Sequence, residues 1–114
     1  MKDLNKITVF TDGGSRSNPG PAALGVVILN KDGHLIKKYG HYLGHATNNE
    51  AEYGALIFAL KKIKALYGKD KIKRLEVDIK SDSELMVNQM AGRYKLVDPK
   101  IQRLFIEAWN LKID

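Results

Sequence analysis

The 114-residue chain contains no cysteine, so disulfide bridges and thiolate metal sites are excluded, as is common in a reducing cytosol. No apolar stretch approaches the ~20 residues that cross a bilayer, so we expect no membrane partner. Residues 1–6 lack the apolar core of a signal peptide. No repeat, low-complexity tract or linker is visible. These absences predict a cytoplasmic protein with a single domain over residues 1–114.

The chain has fewer acidic residues than basic residues. Nineteen Lys and Arg residues against thirteen Asp and Glu residues give a formal net charge of +6. A basic balance favours polyanionic partners such as nucleic acids, but alone it is weak evidence. A charge run like the lysine-rich residues 61–73 is more often just a solvated helix face.

The first half of the chain predicts three strands and a helix. The strands are expected at residues 6–11, 23–30 and 34–43, with a hairpin turn at Lys31-Asp32-Gly33. Thr47 and Glu50 have the spacing of a capping box, so a helix should begin there and stop at Gly68.

The second half predicts one more strand and two helices. The strand is expected at residues 74–80, followed by a capping box at residues 81–84 and a short helix ending near Ala91. Pro99 is expected to open the last helix. The order β-β-β-α-β-α-α indicates an α/β protein with a mixed sheet, in which one crossover leads to a parallel strand.

Three acidic residues occupy positions where a charged carboxylate is unfavourable for folding. Asp12 ends the first strand-like run, Asp82 follows the fourth, and Glu52 lies in an apolar helix stripe. If the two strands are adjacent and parallel, their ends bring Asp12 and Asp82 together, and the helix can place Glu52 over them. Carboxylates that close repel each other unless divalent cations bridge them, so the pattern predicts a metal-dependent enzyme.

Each acid also has an ordinary explanation. Asp12 with Gly13 could start a hairpin turn, although the next strand begins too far along the chain for a two-residue turn. Glu52 could be an early helix acid favoured by the helix dipole, and Asp82 a first-turn acid beside a serine cap. The metal hypothesis depends on the three occurring together.

Four motifs resemble the type 1 ribonuclease H family, in the family's order and spacing. They are TDGGS at residues 11–15, NPGP at 18–21, NNEAEYGAL at 48–56 and SDSEL at 81–85. The resemblance covers residues 6–111. It implies a sheet in which strands 1–3 are antiparallel, strand 4 is parallel to strand 1, and the order is 3-2-1-4.

The resemblance also implies an activity. Family members cut the RNA strand of RNA–DNA hybrids with two Mg²⁺ ions, for which Mn²⁺ can substitute. Asp12, Glu52 and Asp82 match three of the family's four catalytic, metal-binding acids. The positions matching substrate contacts are Gly13, Gly14, Ser15, Asn18, Asn48, Asn49 and Glu84. Asparagine amides and exposed backbone N–H groups suit a 2′-hydroxyl, which donates and accepts hydrogen bonds, but turn and helix-start chemistry explains the asparagines equally well.

The sequence departs from the family at its end, where the fifth strand, the last helix and the fourth acid are missing. We expect either an active nuclease, a weak or inactive module that binds hybrid or double-stranded RNA, or part of a longer enzyme. The uncovered sheet edge and face predict a homodimer or domain swap.

Overall fold

Four strands and three helices form the part of the chain that the computed structural model describes, residues 6–72, 75–92 and 99–113. In chain order they are β1 (Lys6–Ser15), β2 (Gly20–Leu29), β3 (Leu35–Ala46), α1 (Asn48–Ile72), β4 (Glu76–Ser81), α2 (Glu84–Met90) and α3 (Pro99–Ile113). The predicted order of elements is confirmed.

The described strands form one mixed sheet with the order β3-β2-β1-β4. β2 is antiparallel to both β1 and β3, whereas β4 runs parallel to β1. The predicted topology is therefore confirmed. In the parallel register Thr11 pairs with Ser81, so Asp12 and Asp82, the next residues along, lie at the same end of the sheet.

β1 is longer than the sequence predicts. The expected strand ends at residue 11, but in the structure Asp12 pairs with Gly25 and Ser15 pairs with Ala22. The connection to β2 is thereby reduced to residues 16–19, across which the Arg16 N–H donates to the Pro21 carbonyl at 2.9 Å. Asp12 therefore does not start a hairpin turn, and it stands within a continuous strand beside the end of β4.

The predicted turn at residues 31–33 joins β2 to β3. Gly33 has a φ of 85°, a left-handed conformation that glycine adopts without steric cost. The Asn30 Oδ1 accepts hydrogen bonds from the N–H groups of Asp32 and His34, each at 2.9 Å. These bonds hold the turn closed.

Helix α1 begins with the predicted capping box. The Glu50 N–H donates to Thr47 Oγ1 at 3.1 Å, and the Thr47 N–H donates to Glu50 Oε1 at 2.9 Å. The backbone leaves the helical conformation at Gly68 (φ 79°, ψ 169°), as predicted, and a further helical stretch extends to Ile72.

α1 covers one face of the sheet. The residues buried between them come from β1, β2 and α1 and are Ile7, Val9, Leu24, Val26, Ile28, Ala55, Ala59 and Ile63. A second apolar cluster joins α1 to α2 and α3 and contains Tyr53, Leu56, Ile57, Met86 and Ile101. The opposite face of the sheet is more open, and Phe10 there is 44% exposed.

The capping box predicted at residues 81–84 is wrong. Ser83 is the N-cap of α2, and its Oγ accepts a hydrogen bond from the Met86 N–H at 3.2 Å. Ser81 is the last residue of β4 because it pairs with Thr11 in the sheet, and its Oγ accepts from the Ser83 N–H at 3.1 Å. The helix therefore begins two residues later than a cap at Ser81 would place it.

α3 begins at Pro99 as predicted, and Asp98 lies outside the described residues. α3 packs along α1, where Lys61 forms an ion pair with Glu107 at 3.0 Å. None of the described helices has an apolar stretch long enough to span a bilayer.

Candidate active site

The three predicted acids share one electrostatic environment at the end of the sheet. Asp12 lies in β1, Asp82 directly follows β4, and Glu52 lies in the first turns of α1. Burial raises the pKa of Glu52, and the negative charges of Asp12 and Asp82 raise it further. The Gly13 N–H donates a hydrogen bond to the Glu52 carboxylate, which opposes the rise. The structure therefore brings the three acids to one end of the sheet, through the pairing of β1 with β4 and the start of α1.

Gly13 lets α1 approach the strand closely enough for this contact. A Cβ at position 13 would overlap the carbonyl group of Ala51 and lie 2.8 Å from the Glu52 nitrogen. Only glycine leaves room for the helix backbone to pack directly on the strand. Gly13, which the sequence predicts as a substrate contact, thus helps to position Glu52 in the structure.

The carboxylates are near one another but do not converge. In the described part of the chain, no three His, Asp or Glu side chains lie close enough together to hold one metal ion as they stand. Asp12 and Asp82 are exposed and Glu52 is half-buried. The strand register therefore fixes where the backbones of Asp12 and Asp82 lie, whereas their exposed side chains are free to change rotamer.

Asp12 and Glu52 reach the site from different faces of the sheet. Because side chains alternate along a strand, Asp12 falls on the same face as Phe10, away from α1. It lines an open groove together with Phe10, Val27, Lys38, Lys80 and Asp82. Glu52 on α1 nevertheless interacts electrostatically with both aspartates, so the placement of Glu52 over them stays a prediction.

This donor set fits a hard divalent cation. Carboxylate oxygens are the ligands that Mg²⁺ and similar ions prefer. Burial, together with the charges of Asp12 and Asp82, raises the pKa of Glu52 despite the hydrogen bond from Gly13, so its negative charge lacks full compensation in the folded chain. A bound cation would provide that compensation, and Asp12, Glu52 and Asp82 are the residues that would hold it.

The predicted substrate residues Ser15, Asn18 and Asn48 form a hydrogen-bonded group beside the acids. Asn48 Oδ1 accepts from the Ser15 N–H at 2.7 Å and from Ser15 Oγ at 3.2 Å. Asn18 Oδ1 accepts from the Asn48 N–H at 3.1 Å. The amide oxygens thus hold the β1–β2 connection against the start of α1, and the amide nitrogens remain as donors on exposed side chains.

The other predicted substrate positions lie around this group. Gly14 is exposed in β1, and a Cβ there would lie 3.8 Å from Asn48 Oδ1. Asn49 is half-buried in the first turn of α1. Glu84 is the exposed first residue of α2, two positions after Asp82. All of these positions are at the same end of the molecule as the acids.

Sequence reasoning missed a buried hydrogen bond behind the site. The Tyr53 hydroxyl donates to Gln89 Oε1 at 2.7 Å and joins α1 to α2. The pKa of Tyr53 is raised to about 12 by burial, so the hydroxyl stays protonated at neutral pH. No local pattern indicates a contact between residues 36 positions apart.

Known proteins resemble this chain over most of its length. The profile of the RNase H family matches residues 4–104. Ribonuclease HI of Halobacterium salinarum is 39% identical over 106 residues, which make up 93% of this chain and 50% of that protein. The chain thus spans half of that curated relative and 28% of a mycobacterial relative, Bifunctional protein Rv2228c, which is 38% identical.

Solved structures agree with the sequence matches. LC11-RNase H1, isolated from compost by a metagenomic approach, superimposes with a TM-score of 0.87 at 44% identity, covering 95% of this chain and 76% of that one. The same enzyme in complex with an RNA/DNA hybrid also gives a TM-score of 0.87, at 42% identity, covering 94% of this chain and 76% of that one.

Proposed function

Since this chain belongs to the RNase H family, we propose that it is a metal-dependent endonuclease that hydrolyses the RNA strand of RNA–DNA hybrids. The observation that carries the proposal is the placement of three acids at one end of the sheet, where parallel pairing of β1 with β4 puts Asp12 beside Asp82 and the first turns of α1 carry Glu52. Support for the substrate comes from LC11-RNase H1, a relative whose structure contains an RNA/DNA hybrid.

Asp12, Glu52 and Asp82 are proposed as the catalytic residues and the metal ligands. Ribonucleases H generally use divalent metal ions, and we propose two Mg²⁺ ions here, with Mn²⁺ as a substitute. Bound there, such a pair of ions would supply activation of the attacking water and charge stabilisation at the leaving 3′-oxygen. The chain itself contributes a Glu52 carboxylate that accepts a hydrogen bond from the Gly13 N–H. It also contributes Asp12 and Asp82, whose exposed side chains can rotate toward Glu52.

Recognition of RNA is proposed for the group at the start of α1. The amide nitrogens of Asn18 and Asn48 are donors on exposed side chains, while their oxygens are engaged within the protein. Such donors can bind the 2′-hydroxyl that distinguishes RNA from DNA. Gly13, Gly14, Ser15, Asn49 and Glu84 complete the proposed substrate surface.

Three further properties are proposed for the whole molecule. The described elements share one sheet and two adjoining apolar clusters, which supports a single domain over residues 1–114. The absence of cysteine supports a cytoplasmic location. The open sheet face beside Phe10, together with the position of β4 at the edge of the described strands, supports a homodimer or a domain swap.

Hydrolysis of a labelled hybrid tests the activity. We expect cleavage of the RNA strand with Mg²⁺ or Mn²⁺, and none of the DNA strand. Asp12→Asn and Asp82→Asn should each lose more activity than the roughly 10- to 100-fold that removal of an outer-shell partner of a metal ligand costs. Asp78→Asn is the matched control, because Asp78 is an acid of β4 paired with Lys80 at 3.5 Å.

Binding without cleavage would point to the second candidate function. The carboxylates do not converge within the described residues, which favours a weak or inactive module that binds hybrid or double-stranded RNA. If Mn²⁺ supports no cleavage while the hybrid still binds, that function replaces the nuclease.

A further inference from the structure

The hydrogen bond between Tyr53 and Gln89 is a polar contact inside an apolar cluster. Tyr53 is 0% exposed and Gln89 is 7% exposed, and the hydroxyl and amide oxygens are 2.7 Å apart. The surrounding side chains include Leu56, Met86 and Ile101. Apolar contacts are non-directional, whereas a buried hydrogen bond fixes both a distance and an angle. This bond therefore specifies how α2 sits on α1.

Both partners are tied closely to the acids of the candidate site. Tyr53 directly follows Glu52 on α1, so its ring and the Glu52 carboxylate move with the same turn of helix. Asp82 lies in the two-residue connection between β4 and α2, and Gln89 lies at the other end of α2. A rotation of α2 about its Ser83 cap would turn the backbone that carries Asp82.

We propose that Tyr53 and Gln89 are positioning residues, whose hydrogen bond sets the spacing between Glu52 and Asp82 and thereby the affinity of the site for divalent cations. This inference rests on the proposed function in one respect, namely that these carboxylates bind cations. It is independent of whether the bound ions support cleavage. The bond lies behind the acids, and neither partner is placed against substrate.

Three variants separate positioning from simple stabilisation. Tyr53→Phe removes the hydroxyl and leaves the Gln89 oxygen buried without this donor, so it should destabilise the fold. Gln89→Leu removes the acceptor and leaves the Tyr53 hydroxyl buried without this hydrogen bond, so it should also destabilise the fold. The double variant removes both polar groups and should regain most of the lost stability, because an apolar pair needs no hydrogen bond.

Mn²⁺ binding to the whole chain, measured by isothermal titration calorimetry, is the main readout, with urea unfolding and hybrid cleavage alongside. We expect each single variant to bind Mn²⁺ on the order of tenfold more weakly, as for other groups that orient metal ligands. The double variant should bind equally weakly although its stability is restored. Ile63→Val, a buried change in the other cluster, is the control that loses stability and keeps its Mn²⁺ affinity.

The possible outcomes are distinct. A double variant that binds Mn²⁺ like the unmodified protein would overturn the proposal, as would single variants that bind no more weakly than Ile63→Val. Failure of the unmodified protein to bind Mn²⁺ would overturn it too. If Mn²⁺ binds with the expected pattern but no hybrid is cleaved, the positioning role stands and the nuclease function fails.

Discussion

Glu52 is the residue whose titration reports the electrostatics of the site. Its pKa is raised first by burial and then by Asp12 and Asp82, against the hydrogen bond from Gly13. A carboxyl with a higher pKa in the folded chain binds more protons when the protein is folded. Its contribution to the free energy of unfolding is therefore fully present below the ordinary value of 4.5 and is lost as pH rises through the raised pKa.

Replacing Glu52 by glutamine removes this titration and keeps an oxygen that can accept from Gly13. Without divalent ions, we expect Glu52→Gln to equal the unmodified protein in stability at about pH 4 and to exceed it at about pH 7. Mg²⁺ should stabilise the unmodified protein more than the variant, because a ligand that binds only the folded state adds to stability. Urea unfolding at both pH values, with and without Mg²⁺, measures these differences.

Glu107→Gln is the matched control at this scale. Glu107 is an exposed acid in an ion pair with Lys61, so its replacement should change stability little and independently of Mg²⁺. If the difference in stability between Glu52→Gln and the unmodified protein is the same at both pH values, the raised pKa of Glu52 is contradicted.

At the scale of elements, the sequence predicts features that depend on neighbouring residues. The Thr47–Glu50 capping box and the break at Gly68 need only a few adjacent positions, and both are confirmed. The extension of β1 to Ser15 was missed because the partners of residues 12–15 lie in β2. The cap at Ser83 was misplaced for the same reason, since pairing with β1 holds Ser81 in the sheet.

The candidate site follows the same rule. The three acids could be predicted because strand ends and a helix stripe leave a local pattern in the sequence. The close approach of Gly13 to Ala51 and the bond between Tyr53 and Gln89 could not, because both depend on how α1 packs against other elements. The rotamers of Asp12 and Asp82 could not be predicted from the sequence either, because exposed side chains are not fixed by packing.

The contact between β1 and α1 gives a prediction at the scale of elements. An alanine at position 13 would overlap the Ala51 carbonyl and push the helix from the strand, so we expect Gly13→Ala to lose about 1–3 kcal/mol of stability. Gly14→Ala is the matched control, because its nearest neighbour, Asn48 Oδ1, would lie 3.8 Å away. Urea unfolding compares the two variants, and equal stabilities would contradict the close approach.

At the scale of the whole molecule, charge and apolar surface favour different partners. The net charge of +6 attracts a polyanion such as a hybrid and also makes two copies of the chain repel each other. The open sheet face beside Phe10 favours contact between copies. Salt screens charges and leaves apolar contacts in place, so it should act on the two kinds of association in opposite directions.

Raising the salt concentration from roughly 50 mM to roughly 500 mM should therefore weaken hybrid binding and increase self-association. Sedimentation equilibrium measures the mass of the protein in solution, and fluorescence anisotropy measures its affinity for the hybrid.

Phe10→Gln should shift the protein toward monomer, because Phe10 is 44% exposed on the open face. Leu66→Gln alters a similarly exposed side chain on α1, at 46%, and should leave the mass unchanged. A protein that stays monomeric at high salt would show that the open face does not bind a second copy, and this result would contradict the homodimer. The salt dependence of hybrid affinity would still test the basic surface, because it does not depend on self-association.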